Sequence, residues 1–308
     1  MFWLYITLAS PALSAFGNYL DKYLISGKGN ESGVGSVVLF SCLFGILVLP
    51  ISLLIGDRVF SLPFTHIVLL VFNGTLTVGA LLLYLHAIDK ADVISVVPVL
   101  QTVPVFGFAF GFLILNEVLG HAQILGSLVI VSAALLLSIE FNTNHRLRVN
   151  MRGLQLALLS SFLLALSGAL FKFVALDYGY WATQFWEYVG STFFGLLLFL
   201  AVPNYRFNFL HVIRERRLKT VGLNLTAEIT MVGSDLVLNY ATLLAPLALV
   251  YSVSSFQPVF LFVYCLIGIA YAPHIIRPFT VVSRDFLAKG ILICVMIIGA
   301  LIINLVPL

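Results

Sequence analysis

Ten runs of roughly 20 residues, nearly all apolar, dominate what this chain can become. They span residues 2–24, 34–55, 66–87, 94–115, 121–139, 154–175, 181–202, 220–242, 247–269 and 287–306. At about 1.5 Å rise per residue, each is long enough to cross a hydrocarbon core of about 30 Å as a helix. The runs are continuous rather than alternating, which excludes a membrane barrel. Hydrophobic residues make up 61% of the 308 positions and charged residues 9%. Soluble domains run at about 25% charged, so lipid must solvate most of the surface. The expected fold is an all-α membrane protein of ten transmembrane helices. The apolar start, Met1 to Ile25, lacks a basic leader and a small-residue cleavage site, and reads as a retained first helix.

The net charge of +3 carries no nucleic-acid signal, since position matters here more than total. Fourteen basic residues, Lys22, Lys28, Lys90, Arg146, Arg148, Arg152, Arg206, Arg214, Arg216, Arg217, Lys219, Arg277, Arg284 and Lys289, fall on odd-numbered links. Only Arg58 and Lys172 fall on even-numbered ones. Basic links stay cytoplasmic, which predicts both termini outside. Cys42, Cys265 and Cys294 each lie in an apolar run with no partner at ligand spacing, and read as packing residues. No phosphate-binding glycine loop, nucleophile with its base, or metal cluster is present, so no enzyme, cofactor or metal is expected. The triplet Asn224-Leu225-Thr226 matches a glycosylation signal but lies within an apolar run.

The second half repeats the first. A shift of 150 lays Ala15-Phe16-Gly17-Asn18-Tyr19-Leu20-Asp21-Lys22 on Ala165-Leu166-Ser167-Gly168-Ala169-Leu170-Phe171-Lys172, and Ser41 to Gly45 on Ser191 to Gly195. A shift of 154 matches Val78-Gly79 with Val232-Gly233, Ala87 with Ala241, and Pro104-Val105-Phe106 with Pro258-Val259-Phe260. A shift of 164 matches Gly126 with Gly290. The expected units are residues 1–145 and 146–308. Because five is odd, the second unit re-enters the membrane from the opposite side, giving an inverted repeat. Such architecture puts a binding site near mid-membrane between the halves and supports rocking between two openings.

These residues resemble the EamA-like branch of the drug/metabolite transporter superfamily. The resemblance rests on Lys22 and Lys172 closing the first helix of each half, and on Tyr84-Leu85-His86-Ala87 and Asn239-Tyr240-Ala241 closing the third. It also rests on Pro104 and Pro258 in the fourth, on Asn116-Glu117, and on Gly126 in the fifth. The resemblance implies two five-helix repeats, transport activity, and both termini in the cytoplasm, against the charge count, which we prefer. The second half has Ala270-Tyr271 where the first has Asn116-Glu117, so Glu117 is not expected to be a paired element.

An ionisable side chain within a span costs about 2.5–3.5 kcal/mol on insertion scales, so each needs a reason. In the eighth run Asn224, Glu228, Asp235 and Asn239 fall within about 60° of one helical face, an expected cavity wall. Glu228 and Asp235 are the proton-coupling candidates, with His86 as a possible switch. The bland alternative is inter-helix packing by hydrogen bonds. The third run carries a similar stripe, His66, Asn73, Thr77 and Tyr84. Gln101 and Gln257 stand beside the prolines, either to satisfy freed carbonyls or to bind a solute, and Ser252, Ser254 and Ser255 fit either job. Lys22 and Lys172 fit a helix C-terminus, or attract an anion, or pair with Glu187, Glu228 or Asp235. Tyr178, Tyr180, Trp181, Trp186 and Tyr188 read as an interfacial belt, as do Trp3 and Tyr5. Glu187 with Trp186 could hold a cationic or aromatic solute near an entrance.

The expected function is a secondary transporter, an exporter of small polar or amphipathic metabolites such as amino acids or drugs, working by alternating access with optional proton coupling. A nucleotide-sugar or phosphate-ester exchanger would need several cavity cations. A non-transporting membrane subunit is the reading from another class. The expected partners are a small-molecule substrate and membrane lipid, not nucleic acid. The expected state is a monomer or homodimer, and the expected location the bacterial inner membrane.

Overall fold

The computed structural model describes residues 2–26, 34–56, 59–90, 99–138, 151–215, 218–271 and 286–304. These residues are helical nearly throughout, with no strand among them. Helix occupies most of the described part of every apolar run. In the first half, α1 is Phe2–Ser26, α2 Val34–Phe44, α3 Val48–Ile55, α4 Phe64–Lys90, α5 Val103–Leu115 and α6 His121–Ser138. In the second, α7 is Met151–Tyr178, α8 Tyr180–Ala201, α9 Pro203–Glu215, α10 Leu218–Leu244, α11 Leu247–Ser254, α12 Gln257–Tyr271 and α13 Phe286–Asn304. Four stretches, Val34–Ile55, Phe64–Ala87, Met151–Tyr178 and Leu247–Tyr264, are both long and apolar enough to cross a membrane. Tyr180–Ala201 with Pro203–His211 makes a fifth if that bent pair is one span. The molecule is therefore an integral, multi-pass membrane protein.

The packing is reciprocal between the halves. The first helix of one half lies along the third of the other: α1 on α10, and α7 on α4. α1 also packs on α12, and α7 on α5. α6 and α13 pack on each other, and at their crossing a Cβ on Gly126 would come within 2.7 Å of the Gly299 carbonyl oxygen. With no hydrophobic drive between helices in lipid, such small-residue approach lets dispersion hold them together. Gly290, the repeat match of Gly126, has open space around it instead. At the other crossing, a Cβ on Gly74 would collide with the Glu187 carbonyl, and one on Gly190 with the Val71 carbonyl, so the α4 and α8 backbones touch.

Three expectations change. The fourth and ninth runs are broken rather than continuous, at Gln101-Thr102 and at Ser255-Phe256. Each break falls just before Pro104 or Pro258, because proline lacks a donor and is favoured in a helix's first turn. The link from Pro203 to Lys219 is mostly a helix, α9, bent 100° from α8. Its break at Val202-Pro203 follows from the same rule, since the residue before proline avoids helical backbone. Trp3 is a core residue, 6% exposed among Ile130, Leu249 and Val253, whereas Tyr5 is exposed as a belt residue should be.

Candidate functional site

Polar side chains gather in four places within the bundle. The first lies between α4, α7 and α8. The Asn73 amide nitrogen donates to Glu187 Oε1 at 3.1 Å and the Thr77 hydroxyl donates to the same oxygen at 3.2 Å. Thr77 and Ser167 hydroxyls stand 2.8 Å apart. Asn73 is wholly buried, so its side chain is committed to this seam rather than to open space.

The second lies between α2 and α10, where the Ser41 hydroxyl reaches both Glu228 oxygens, at 2.9 and 3.0 Å. Glu228 is buried there.

The third lies between α8 and α10. The Asn239 amide donates to Gln184 Oε1 at 3.4 Å, and the Tyr180 hydroxyl donates to the Leu236 carbonyl at 2.7 Å. Asp235, on the same face of α10, is exposed. It is nevertheless surrounded: Glu187, Tyr180 and Tyr188 of α8 and Tyr251 of α11 all interact with it electrostatically. Asp235 is thus exposed yet within electrostatic reach of acidic and phenolic groups on two other helices.

The fourth ties three segments together. Asn116 ends α5 with a left-handed φ of 54°, a conformation asparagine tolerates. That turn lets the Glu117 amide bond back to the Gly111 carbonyl at 2.9 Å and aims its carboxylate at the α10–α11 junction. There Glu117 Oε1 pairs with the Lys172 ammonium at 2.6 Å, and Oε2 accepts the Leu247 amide at 2.8 Å, a donor that the start of α11 leaves free. Lys172 also donates to the Ala245 carbonyl at 2.7 Å.

The expected partners of Lys172 were Glu187, Glu228 or Asp235, and the structure gives it Glu117 instead. Lys172 lies within α7, six residues before its end at Tyr178, and its ammonium meets the Ala245 carbonyl just past α10, where Glu117 also sits. Glu187 and Trp186 do not act together either. Adjacent residues sit 100° apart on a helix, so Trp186 turns outward to donate to the Val59 carbonyl at 2.9 Å while Glu187 turns in.

Other expected residues fall as follows. Tyr84 packs half-buried against Ala87 and Ala157. His86 Nδ1 is 2.7 Å from the Leu82 carbonyl of its own helix. Gln101 is buried at the α5 break, and Gln257 opens α12 half-buried. The side chains of Lys22, Asn224 and Cys265 lie outside the described residues. Ser41, Ser167 and Gln184 joined the polar groups without having been singled out. Ser41 alone carried a signal, as the repeat match of Ser191. A shallow groove of about 400 Å³ between α6 and α13, lined by Leu125, Leu128, Leu136 and Leu292, is apolar and holds none of these residues.

The fold and its buried polar groups define an all-helical, multi-pass membrane protein with a polar interior. Residues 2–139 match the EamA-like transporter family, the family whose motifs the sequence carries. The match covers under half of the chain and bears on these residues alone. A solved crystal structure, described only as that of a protein, superposes with a TM-score of 0.71 over 98% of this chain and 96% of its own, at 14% identity. At that identity the likeness concerns the fold alone. No curated protein matches the sequence.

Proposed function

We propose that the chain is a ten-span secondary transporter built as an inverted repeat of residues 1–145 and 146–308, exporting small polar or amphipathic metabolites across a bacterial inner membrane by alternating access. The observation that carries this reading is Asp235, exposed yet within electrostatic reach of Glu187, Tyr180, Tyr188 and Tyr251. A scaffold gains nothing from an open acid in its interior, whereas a binding cavity does. The reciprocal packing of α1 on α10 and α7 on α4 supports the repeat. The breaks before Pro104 and Pro258 support a midplane site, since broken helices free backbone groups to bind solutes. Asp235, Asn239, Thr77, Gln101 and Gln257 are the proposed wall, with Asp235 and Glu228 as the proton-coupling candidates of that wall. Lys172, the cation on which a phosphate-ester reading leans, is engaged by Glu117 and Ala245, which favours a weakly charged solute.

A thermal-shift screen of metabolites on the purified protein should find ligands, because binding to the folded state raises its melting temperature. Saturable flux of a hit into liposomes should follow, with Asp235→Asn or Glu228→Gln abolishing its pH-driven part while both variants stay folded. Flux that keeps its full pH dependence in both variants would remove them from coupling. For orientation, a cysteine in the Arg214–Lys219 stretch should resist an impermeant reagent in intact cells. Ready labelling there would put the termini inside.

A further inference from the structure

The seam between α4, α7 and α8 holds an acid that the proposed cavity wall touches through Thr77. Glu187 is 6% exposed and Asn73 0%, and the touching backbones at Gly74 and Gly190 close the seam to water beside them. Glu187 Oε1 is well served, accepting from Asn73 and Thr77. Glu187 Oε2 and Asn73 Oδ1 have no hydrogen-bond partner among the described residues. Two buried oxygens left bare is a costly arrangement, on the order of 1–3 kcal/mol each for neutral groups and more for a charge. The defect has a pattern: both bare atoms are acceptors, and both belong to residues already bonded to each other.

One hydrogen repairs both. A proton on Oε2 turns Glu187 into a donor to Asn73 Oδ1, while the Asn73 amide keeps donating to Oε1. Acid and amide then form a reciprocal pair with every atom satisfied. No Lys, Arg or His is ion-paired with Glu187 among the described residues, so no protein cation does this work. We infer that Glu187 is a proton-binding site, present as the neutral acid and sharing its proton with Asn73 across the junction of the two halves. Around it, α4 presents Asn73 and Thr77, α7 presents Ser167, and the titratable groups that interact with it are Asp235, Tyr180, Tyr188 and Tyr251. Lys172 of α7 is taken by Glu117. On α2, Cys42 lies against Gly195, about two helical turns further along α8, and the basic residues of α9 lie beyond the α8 C-terminus. α3 carries no titratable group. Proton loss leaves a bare carboxylate in a closed seam, so release must accompany parting of α4 from α8. This inference rests on the transporter reading and adds Glu187, beside Asp235 and Glu228, as a further group that binds a proton.

The test is infrared spectroscopy of the full chain in ester-free detergent, reading the carbonyl stretch of a protonated carboxyl, identified by its shift in heavy water. The expected result is a band present in the wild type and in Asp235→Asn and Glu228→Gln, and lost in Glu187→Gln. Gln is isosteric and its amide donates to Asn73 Oδ1, so this variant keeps its gel-filtration profile. In Asn73→Ala the band moves to higher frequency because the acid loses its acceptor, a readout that stands even if Glu187→Gln misfolds. A band that survives Glu187→Gln, or is missing from the wild type, overturns the assignment. So does a band that vanishes when sodium chloride replaces choline chloride at fixed pH, which would mark a sodium site. The spectrum needs no substrate, so its failure leaves the liposome flux untouched, and a failed flux assay leaves the band standing.

Discussion

Ser41 and Ser191 stand at matching places in the two halves, 150 residues apart, and each faces the third helix of the opposite half. Ser191 donates to the Gly74 carbonyl of α4 at 3.2 Å, and Ser41 donates to Glu228 of α10. Gly74 and Glu228 are themselves a matched pair, 154 residues apart. So are Gly190, whose backbone meets α4, and Phe40, whose ring turns away to pack on Phe209 at 4.8 Å between centroids. One seam thus has glycine at both crossing points and closes backbone on backbone. Its twin has a glutamate and a phenylalanine there, and α2 meets α10 over only a short stretch. Side-chain size at two positions decides which seam shuts. The polarity is exchanged as well: Asn73, Thr77 and Ser167 of the shut seam match Ala227, Met231 and Gly17. A carboxyl sits in each seam, but in the shut one it comes from the second helix and in the loose one from the third.

The sharpest way to break this comparison is to move a residue between seams. Gly190→Phe installs the residue that the matching position carries. With the Val71 carbonyl already against Gly190, no rotamer relieves the clash, and we expect the α4–α8 crossing to fail. The cost should exceed about 4 kcal/mol, as for the most disruptive single changes. Gel filtration should show no monodisperse peak. A folded, stable variant would mean the backbone contact does not hold the seam shut.

A second asymmetry concerns the ion pair. Lys172 is buried and Glu117 largely so, and each is hydrogen-bonded a second time, to Ala245 and Leu247. The other half carries Tyr271 at the place of Glu117. Lys172→Met leaves a buried carboxylate without its cation and should cost about 3–5 kcal/mol. Adding Glu117→Gln should recover most of it, since the remaining groups are neutral. Thermal unfolding of the two variants in detergent measures both. Equal melting temperatures for the single and double variants would show that the charges do not interact.

The twin serines give a finer reading. Ser41 donates to a carboxyl and Ser191 to peptide carbonyls. Hydrogen bonds to charged groups contribute about 1.5–3 kcal/mol, and neutral ones about 0.5–1.5. Ser41→Ala should therefore cost more than Ser191→Ala. If the two melt alike, Glu228 is neutral in this conformation and the loose seam carries no charge.

Sequence reading reached some of this and not the rest. Helix positions were legible because lipid imposes length and apolarity on each span separately, so every run reports on itself. The α10 stripe was legible for the same local reason. Partners were not. Lys172 and Glu117 are 55 residues apart, and any of four carboxyls satisfied the bare requirement for a counter-charge; only the turn at Asn116 selects one. Glu187 was grouped with Trp186 by adjacency, although on a helix adjacency separates faces. α9 was hidden because its amphipathic residues fail the apolarity that marks a span while still forming a helix. The breaks at Gln101 and Ser255 were half-visible, since proline announces them without saying on which side the helix stops.

The smallest effect separates repeat from contact. Gly126 and Gly290 match in the sequence, yet the residue against Gly126 in the structure is Gly299. A Cβ at Gly126 would press on the Gly299 carbonyl and on Ile303, both at 2.7 Å, so Gly126→Ala should lower the melting temperature. Gly290 meets nothing within 4 Å and lies in a helix, where Ala exceeds Gly by about 0.5–1 kcal/mol through lost unfolded-chain entropy. Gly290→Ala should therefore raise it slightly. Opposite signs from two glycines that the repeat treats as equals would show that duplication left the residue in place while packing moved to Gly299, about two and a half turns further along α13. A fall in both would mean that Gly290 serves a contact made only in another conformation, and the α6–α13 pair would then join the two seams among the parts that move.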